Sequence, residues 1–432
     1  MDWHARRPRA SYDTAQGWWW TALIGATFVW MSNPVVFIPS FYLSLGEAMI
    51  WTKIVVVISL LWLRLPRVPW PWLLFLGLCL LSQLWTINDF HTDVSNTVYL
   101  QMTALAVIVA ANCEPVVVCW GLALGGVSVA FLSLYAYALE VPGASNTPIG
   151  GAEIAGIGTN ENILAYTLAV SLAATLALGV PRGAGALALW IGALCMQGAG
   201  VVAAASGTGY VSVLSIVVAA VLVSAWPRLR NARRRVVLLW TAAIGLVLVV
   251  GLLVTTVLLG KELSTFSGRA AFWRAAIEST FDRAPLIGSG WGAVWEHPWD
   301  PTPPNDVAND IYVRADYALP HGHNFFVDVL PELGVLGVTI ALVMVAYAVR
   351  EVRRRGLRTD ESGRLVLLVL VALLVSGITE PMLTVPLGWW SLTLVVATAR
   401  QRVVVEAADL EPTSGVGRRR SSRGRRAAIA VR

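Results

Sequence analysis

Long apolar runs alternate with short polar turns along most of this chain. Most runs are about 17–25 residues long, enough to cross a bilayer as a helix. We predict twelve spans, at residues 17–32, 47–64, 68–87, 95–112, 116–139, 161–180, 184–203, 209–226, 236–259, 324–348, 364–380 and 384–400. The pattern therefore predicts an all-α polytopic membrane helix bundle of about 12 transmembrane helices.

The longest polar interruption is residues 261–323, a large loop just before the tenth span. The rest of the composition fits a membrane bundle, because 56% of the residues are hydrophobic and only 13% are charged. Soluble domains carry about twice that charged fraction. The composition therefore argues against a soluble globular protein, and the loop is the natural place for polar chemistry.

The basic residues predict the orientation of the bundle. All 32 Lys and Arg residues fall in alternate turns or in the two termini, except Lys53, Lys261, Arg269, Arg274, Arg283 and Arg314. Basic turns face the cytoplasm, so we expect both termini inside and the loop outside. The net charge of +6 thus reflects topology, and no nucleic-acid partner is expected.

Three segments follow from this layout. Residues 1–16 are predicted as a cytoplasmic N-terminal segment, and residues 17–405 as the transmembrane domain, with 261–323 as its extracytoplasmic catalytic loop. Residues 406–432 are arginine-rich and low in complexity, and we predict a disordered cytoplasmic tail.

A short amphipathic helix is predicted inside the loop. Ser267 can cap it, and Arg269 in its first turn lies where free backbone N–H groups and the helix dipole favour an anion. Arg274 has Glu278 four residues later, so a local ion pair explains it most simply. Arg269 has no acid at that spacing, which favours it as a phosphate ligand. The alternative is that both arginines snorkel from an interfacial helix, whose apolar stripe is Trp273, Ile277 and Phe281.

Two histidines end the loop, in the tetrapeptide His321–Asn324, where the tenth span is predicted to begin. A histidine can accept a proton near neutral pH, and here it would meet a lipid headgroup. One alternative is a histidine that only hydrogen-bonds locally. Another is a zinc site of His297, His321, His323 and loop carboxylates, whose spacing matches no standard ligand pattern. We expect no metal and no cofactor.

Acidic residues at two further span ends are also candidates. Glu161 and Asn162 stand at the outer mouth of the sixth span, where a carboxylate is costly unless it is used or paired. The alternative is a polar helix cap. Glu380, which precedes Pro381 at the outer end of the eleventh span, is a candidate of the same kind.

The motifs in this region resemble those of a known family. Their order and placement are similar to those of the O-antigen ligase and O-antigen polymerase superfamily over roughly residues 156–340. The motifs are NENxLA (160–165), SGRxxxW (267–273), APLIGSGWG (284–292), HxHN (321–324) and ELGVLG (332–337). GSGWG follows no predicted strand, so we predict a tight turn there.

The resemblance implies a metal-independent glycosyltransferase of the GT-C type in the bacterial cytoplasmic membrane. Such an enzyme passes a glycan from a polyprenyl-pyrophosphate carrier to a hydroxyl of a glycan, lipid or protein acceptor, among membrane lipids. It implies that Arg269 binds the pyrophosphate and that His323 is catalytic, with Glu161 as the alternative base. Family members often carry an arginine where Gly207 stands, so a second phosphate ligand is either missing or supplied by Arg274 or Arg314. The further substrate-binding candidates are Asn162, Asn324 and His321.

Two other functions are open at this stage. A transporter or flippase usually places polar residues near mid-membrane and shows inverted repeats, whereas here the polar residues cluster at one face and only Lys53 lies inside a span. A non-catalytic assembly protein has no positive feature in its favour. Polymerase and ligase would share the donor site, so these residues do not separate them.

Overall fold

The computed structural model describes residues 10–11, 14–37, 68–145, 154–225, 236, 269–296, 305–354 and 361–410. Within these ranges the chain is all-helical, apart from two isolated β-bridges. The helices are α1 (Ala15–Met31), α2 (Trp70–Leu81), α3 (Asp89–Asn112), α4 (Pro115–Ala138), α5 (Glu161–Ala177), α6 (Ala184–Ala204), α7 (Gly207–Ala225), α8 (Arg269–Arg283), α9 (Asp306–Ala315), α10 (Leu330–Arg354), α11 (Glu361–Ser376) and α12 (Pro386–Leu410). A 3-10 turn, Ser82–Leu84, follows α2.

Ten of these helices coincide with predicted spans, and α8 and α9 fall inside the predicted loop. Five of the described helices are long and apolar enough to cross a membrane: α3, α4, α6, α7 and α10 as far as Val352. The apolar stretches Trp70–Leu84, Glu161–Ala177 and Ser362–Ser376 are shorter. The protein is therefore an all-helical, multi-pass membrane protein. The predicted spans at 47–64 and 236–259 lie outside the described residues, apart from Val236, so the total of twelve stays a prediction.

Helices begin where the sequence supplies a cap. The Asn160 side chain accepts hydrogen bonds from the backbone N–H groups of Asn162 and Ile163 at the start of α5. Asn305 does the same for the first turn of α9, and Thr14 for α1. These side chains satisfy backbone donors that a helix start leaves free, so several predicted boundaries are accurate to within a few residues.

The predicted start of the tenth span is wrong. The tenth span was expected to start at Asn324, but residues 325–329 form turns and α10 begins at Leu330. The Asn324 side chain accepts hydrogen bonds from the N–H groups of Phe326 and Val327, and Phe325 donates its own N–H to the Gly377 carbonyl. These bonds hold a turn that keeps the histidines off the helix.

The helices pack around one large apolar core. α5 contacts α4, α6, α7 and α11, while α1 packs on α4 and α3 on α12. The loop helices have a separate small core formed by one face of α8 and α9 with the intervening chain: Phe272, Ala275, Ala276, Val294, Trp295, Val307, Ala308, Ile311 and Ala315. The loop therefore has its own apolar support. The predicted stripe of α8 is not part of that core, because Ile277 and Phe281 are exposed.

Contacts between turns define two ends of the bundle. At one end, backbone or side-chain hydrogen bonds join Ala10 with Asn112, Arg364 with Ala177 and Arg400 with Val68. At the other end they join Val36 with Ile157, Ser206 with Asn162, Thr208 with Thr379 and Trp85 with Ile287. Both members of every pair were predicted on the same side of the membrane. Which end faces outward stays a prediction.

Two of the sequence motifs, GSGWG and ELGVLG, dock against each other through their backbones. Ser289 and Gly290 of the GSGWG turn donate their N–H groups to the carbonyls of Pro331 (2.9 Å) and Glu332 (2.8 Å). Gly334 interrupts α10 with φ +62°, and a Cβ there would lie 2.4 Å from the Leu286 carbonyl carbon. Glycine is therefore required by both the conformation and the space.

We expect Gly334→Ala to destabilise the protein by roughly 1–3 kcal/mol, because it adds backbone strain and a clash with Leu286. The thermal unfolding midpoint of the detergent-solubilised protein measures this effect. Gly192→Ala is the matched control, since a Cβ on that glycine of α6 meets nothing within 4 Å. Equal midpoints for the two variants would contradict the docking contact.

The orientation can be tested by cysteine labelling in a background that lacks the exposed Cys195. Val313 on α9 is 80% exposed, and we expect Val313→Cys to react with an impermeant maleimide in intact cells. Arg182→Cys, in a turn at the opposite end, should react only after the membrane is disrupted. The reverse labelling pattern would overturn the predicted topology.

Candidate active site

The candidate site forms where α8, the histidine turn and the turn after α11 meet. Arg269 is the first residue of α8, and the described chain resumes there, so the predicted Ser267 cap lies outside the described residues. Trp273, one turn further along α8, donates its indole N–H to the Gly322 carbonyl at 2.9 Å. The SGRxxxW and HxHN motifs are thus in direct contact.

The histidine turn is held from inside by a buried carboxylate. Asp328 accepts a 2.6 Å hydrogen bond from the Gly322 N–H, and its second oxygen accepts one from the Thr384 hydroxyl. His323 adopts a left-handed backbone conformation, with φ +48°. A non-glycine residue in that conformation carries strain and often marks a functional site. The Asp328 hydrogen bonds and the left-handed backbone therefore fix the orientation of His323 in the turn.

Glu380 is the residue that joins the parts of this site. It lies in the turn between α11 and α12, and its side chain is only 2% exposed. Its Oε1 lies 3.3 Å from Arg269 Nη2, and its Oε2 lies 3.4 Å from His323 Nδ1. One buried carboxylate thus stands between the predicted phosphate ligand and the predicted catalytic histidine.

The electrostatics of this group follow from burial and from the arginine. Burial, and after it the charge of Arg269, lower the pKa of His323 to about 4, while Glu161 opposes the change. Burial raises the pKa of Glu380 to about 7, against the opposing charges of Arg269 and His321. The His323 imidazole is therefore neutral near pH 7 and able to accept a proton.

Glu161 belongs to the same neighbourhood. It is the first residue of α5, and its charge acts on both His323 and Glu380. Asn162 connects it to α7, since Asn162 Nδ2 donates to Glu161 Oε1 (3.3 Å) and Asn162 Oδ1 accepts from the Ser206 hydroxyl (2.7 Å). The Asn162 amide thus holds α5 and α7 together beside the site.

Not every candidate arginine reaches this group. Arg314 forms ion pairs with Asp282 (2.9 Å) and Asp310 (3.0 Å) within the loop. Arg274 is exposed on α8, and the ion pair expected with Glu278 is not formed within 4 Å in the described structure. Arg269, expected to lack a partner because none is near in sequence, pairs with Glu380, 111 residues away.

Gly207, where the resemblance led us to expect an arginine, is also close to the site. Gly207 begins α7 between Ser206, which bonds Asn162, and Thr208, whose hydroxyl lies 2.7 Å from that of Thr379. A Cβ on Gly207 would meet nothing within 4 Å. The structure therefore places open space beside the Glu380 turn at this position.

His321 and Asn324 have structural contacts in this arrangement. The His321 ring centroid lies 4.0 Å from that of His323, and burial lowers the pKa of His321 to about 3. Asn324 uses its amide N–H to bond the Ile378 carbonyl at 2.9 Å, as well as capping its own turn. Among the described residues no three His, Cys, Asp or Glu side chains are grouped to hold a metal ion, and His297 lies outside those residues.

Sequence reasoning recognised Glu380 as a candidate but could not place it. Its only local signal is an acid before a proline at the end of an apolar run. The 377–385 turn that carries it meets the histidine turn through Gly377, Ile378 and Thr384. No spacing rule within one helix predicts such a contact.

The fold and the site define a multi-pass membrane protein with an arginine, a carboxylate and a histidine gathered at one end of its bundle. Comparison with protein families confirms the predicted resemblance: residues 187–342 match the family described as O-antigen ligase. The match runs from α6 into α10 and includes Arg269 and His323, but ends before Glu380. Comparison with curated proteins gave no match.

Proposed function

We propose that this protein transfers a glycan from a polyprenyl-pyrophosphate carrier to an acceptor hydroxyl at the outer face of the bacterial cytoplasmic membrane, as a polysaccharide polymerase or ligase. The family match supports glycan transfer of the O-antigen ligase or polymerase type. The observation that carries the specific proposal is that Arg269 and His323 contact the two oxygens of one buried carboxylate.

Arg269 is suited to the donor side of this reaction. A sugar pyrophosphate breaks at the bond between the anomeric carbon and the phosphate oxygen, and the electron pair leaves with the pyrophosphate. Preorganised positive charge at that point stabilises the transition state. Arg269 supplies a planar guanidinium suited to phosphate oxygens, at the start of a helix whose dipole also favours an anion.

His323 is suited to the acceptor side. The acceptor oxygen forms a new bond to the anomeric carbon, which inverts its configuration, and the hydroxyl proton must go to a base. The neutral imidazole can take it on Nε2, because Nδ1 faces Glu380. Glu161 is the alternative base in the same neighbourhood. This chemistry uses neither a metal nor a cofactor, since the arginine supplies the charge.

We expect Arg269→Ala to reduce glycan transfer by at least about 10²-fold, because it removes charge at the leaving group. Arg274→Ala is the matched control, as an exposed arginine on the same helix, and should retain most activity. Turnover of purified variants with a lipid-linked donor measures both. Normal turnover by Arg269→Ala would exclude phosphate binding at this residue.

His323→Ala should reduce transfer on the order of 10²- to 10⁴-fold, the usual contribution of a general base. His321→Ala should retain most activity, although its ring lies against that of His323. The assay is run with and without EDTA, which should not inhibit. Strong EDTA inhibition that zinc restores would support the metal site built on the histidines instead.

A further inference from the structure

We propose that Glu380 is the positioning residue of this site: it holds the His323 imidazole by Nδ1, so that Nε2 faces the acceptor hydroxyl. This inference rests on the proposed glycan transfer. It assigns a role to a residue outside the segment that matches the O-antigen ligase family, which ends at residue 342.

The burial of Glu380 requires an explanation. An ionised carboxylate that is 2% exposed loses most of its hydration, which is costly unless partners replace the water. Its partners come from two separate parts of the chain, Arg269 on α8 and His323 on the histidine turn. The 377–385 turn keeps Glu380 in place, because Thr384 and Val385 donate their N–H groups to the Pro381 carbonyl.

The arrangement selects one form of the histidine. In the proposed arrangement the Nδ1 proton is directed at Glu380 Oε2, which leaves Nε2 unprotonated as the base. When the acceptor proton moves to Nε2, the adjacent carboxylate stabilises the imidazolium by its charge and by the hydrogen bond from Nδ1. Above its pKa of about 7, Glu380 stays ionised throughout the transfer. In the described structure Nδ1 lies 3.4 Å from Oε2 and forms no hydrogen bond, so the proposed bond tightens as the imidazole gains its proton.

The same carboxylate links the two halves of the reaction. Glu380 Oε1 pairs with Arg269 Nη2 at 3.3 Å. A bound pyrophosphate competes for that guanidinium and neutralises its charge. Because the Arg269 charge lowers the pKa of His323, donor binding raises the basicity of the imidazole. The Glu380 carboxylate then interacts with His323 and no longer with Arg269. The base is thus strengthened when a leaving group is present.

The pH profile is the most direct readout of this role. The titratable and charged groups that act on or respond to Glu380 in the described structure are Arg269, His321, His323, Glu161, Asp328 and Tyr166. Below its pKa of about 7 Glu380 is protonated and cannot stabilise the imidazolium. His323 is already neutral above about pH 4, but burial raises the pKa of Asp328 to about 7 as well. A rise in kcat/KM near pH 7 therefore belongs to Glu380 only if Glu380→Gln removes it.

The experiment compares wild type, Glu380→Gln and Glu380→Asp as purified full-length proteins with a lipid-linked donor. Glu278→Gln is the control, an exposed carboxylate on the same helix as Arg269. We expect wild type and control to gain activity through about pH 7. Glu380→Gln should lose on the order of 10²-fold in kcat, lose the rise near pH 7 and show no increase in donor KM. Glu380→Asp, which keeps the charge, should keep the rise and part of the activity.

Three outcomes would overturn the inference. One is a wild-type profile that is flat through about pH 7, which needs no variant to fold. Another is a Glu380→Gln profile that keeps the wild-type rise. The third is a raised donor KM with unchanged kcat, which would assign Glu380 to Arg269 alone. Unfolding midpoints of each variant separate a loss of fold from a loss of chemistry.

The proposed function is tested separately by the alanine variants. If Arg269→Ala and His323→Ala both retain turnover, glycan transfer at this site fails whatever Glu380 does. If both lose turnover while Glu380→Gln behaves as wild type, only the positioning role fails.

Discussion

The candidate site depends on one constraint, the burial of the Glu380 carboxylate. A charge removed from water needs compensation, and the structure provides it with Arg269 on one oxygen and His323 near the other. These three residues come from α8, the histidine turn and the 377–385 turn. Satisfying one carboxylate therefore requires three distant segments to meet at the same end of the bundle, which is also the condition for acting on a donor and an acceptor together.

The glycine-rich motifs serve this meeting indirectly. GSGWG and ELGVLG form a backbone contact that only residues without a side chain permit at Gly288 and Gly334. That contact holds the chain after α8 against the start of α10, and the histidine turn immediately precedes α10. The separation between Arg269 and His323 thus depends on glycines that would touch neither donor nor acceptor. Within the motifs, glycines such as Gly334 set the distances between segments, and residues such as Arg269 and His323 supply the polar side chains of the site.

Prediction from the sequence succeeded where the signal is local. Apolar runs predicted ten of the described helices, because a helix in lipid must satisfy its own backbone and present apolar side chains. Arg269 was preferred over Arg274 from spacing on one helix, and the structure brings Arg269 alone of the two to Glu380. The same local reasoning was wrong about the partners. It expected an Arg274–Glu278 pair, which is not formed in the described structure. It also expected no partner for Arg269, because a contact between residues 111 positions apart produces no periodic pattern in the sequence.

The sequence by itself determined the class of the protein, since hydropathy and the positions of arginine follow from the bilayer and need no knowledge of packing. It also identified the segments that form the candidate site. Only the tertiary structure decided which of those residues meet. Asn324, predicted from the motif as a substrate ligand, donates a hydrogen bond to the Ile378 carbonyl, and Arg314 pairs with two loop acids. Glu380 became the centre of the site because helix packing, which depends on the shapes of many side chains at once, brings its turn against the histidines.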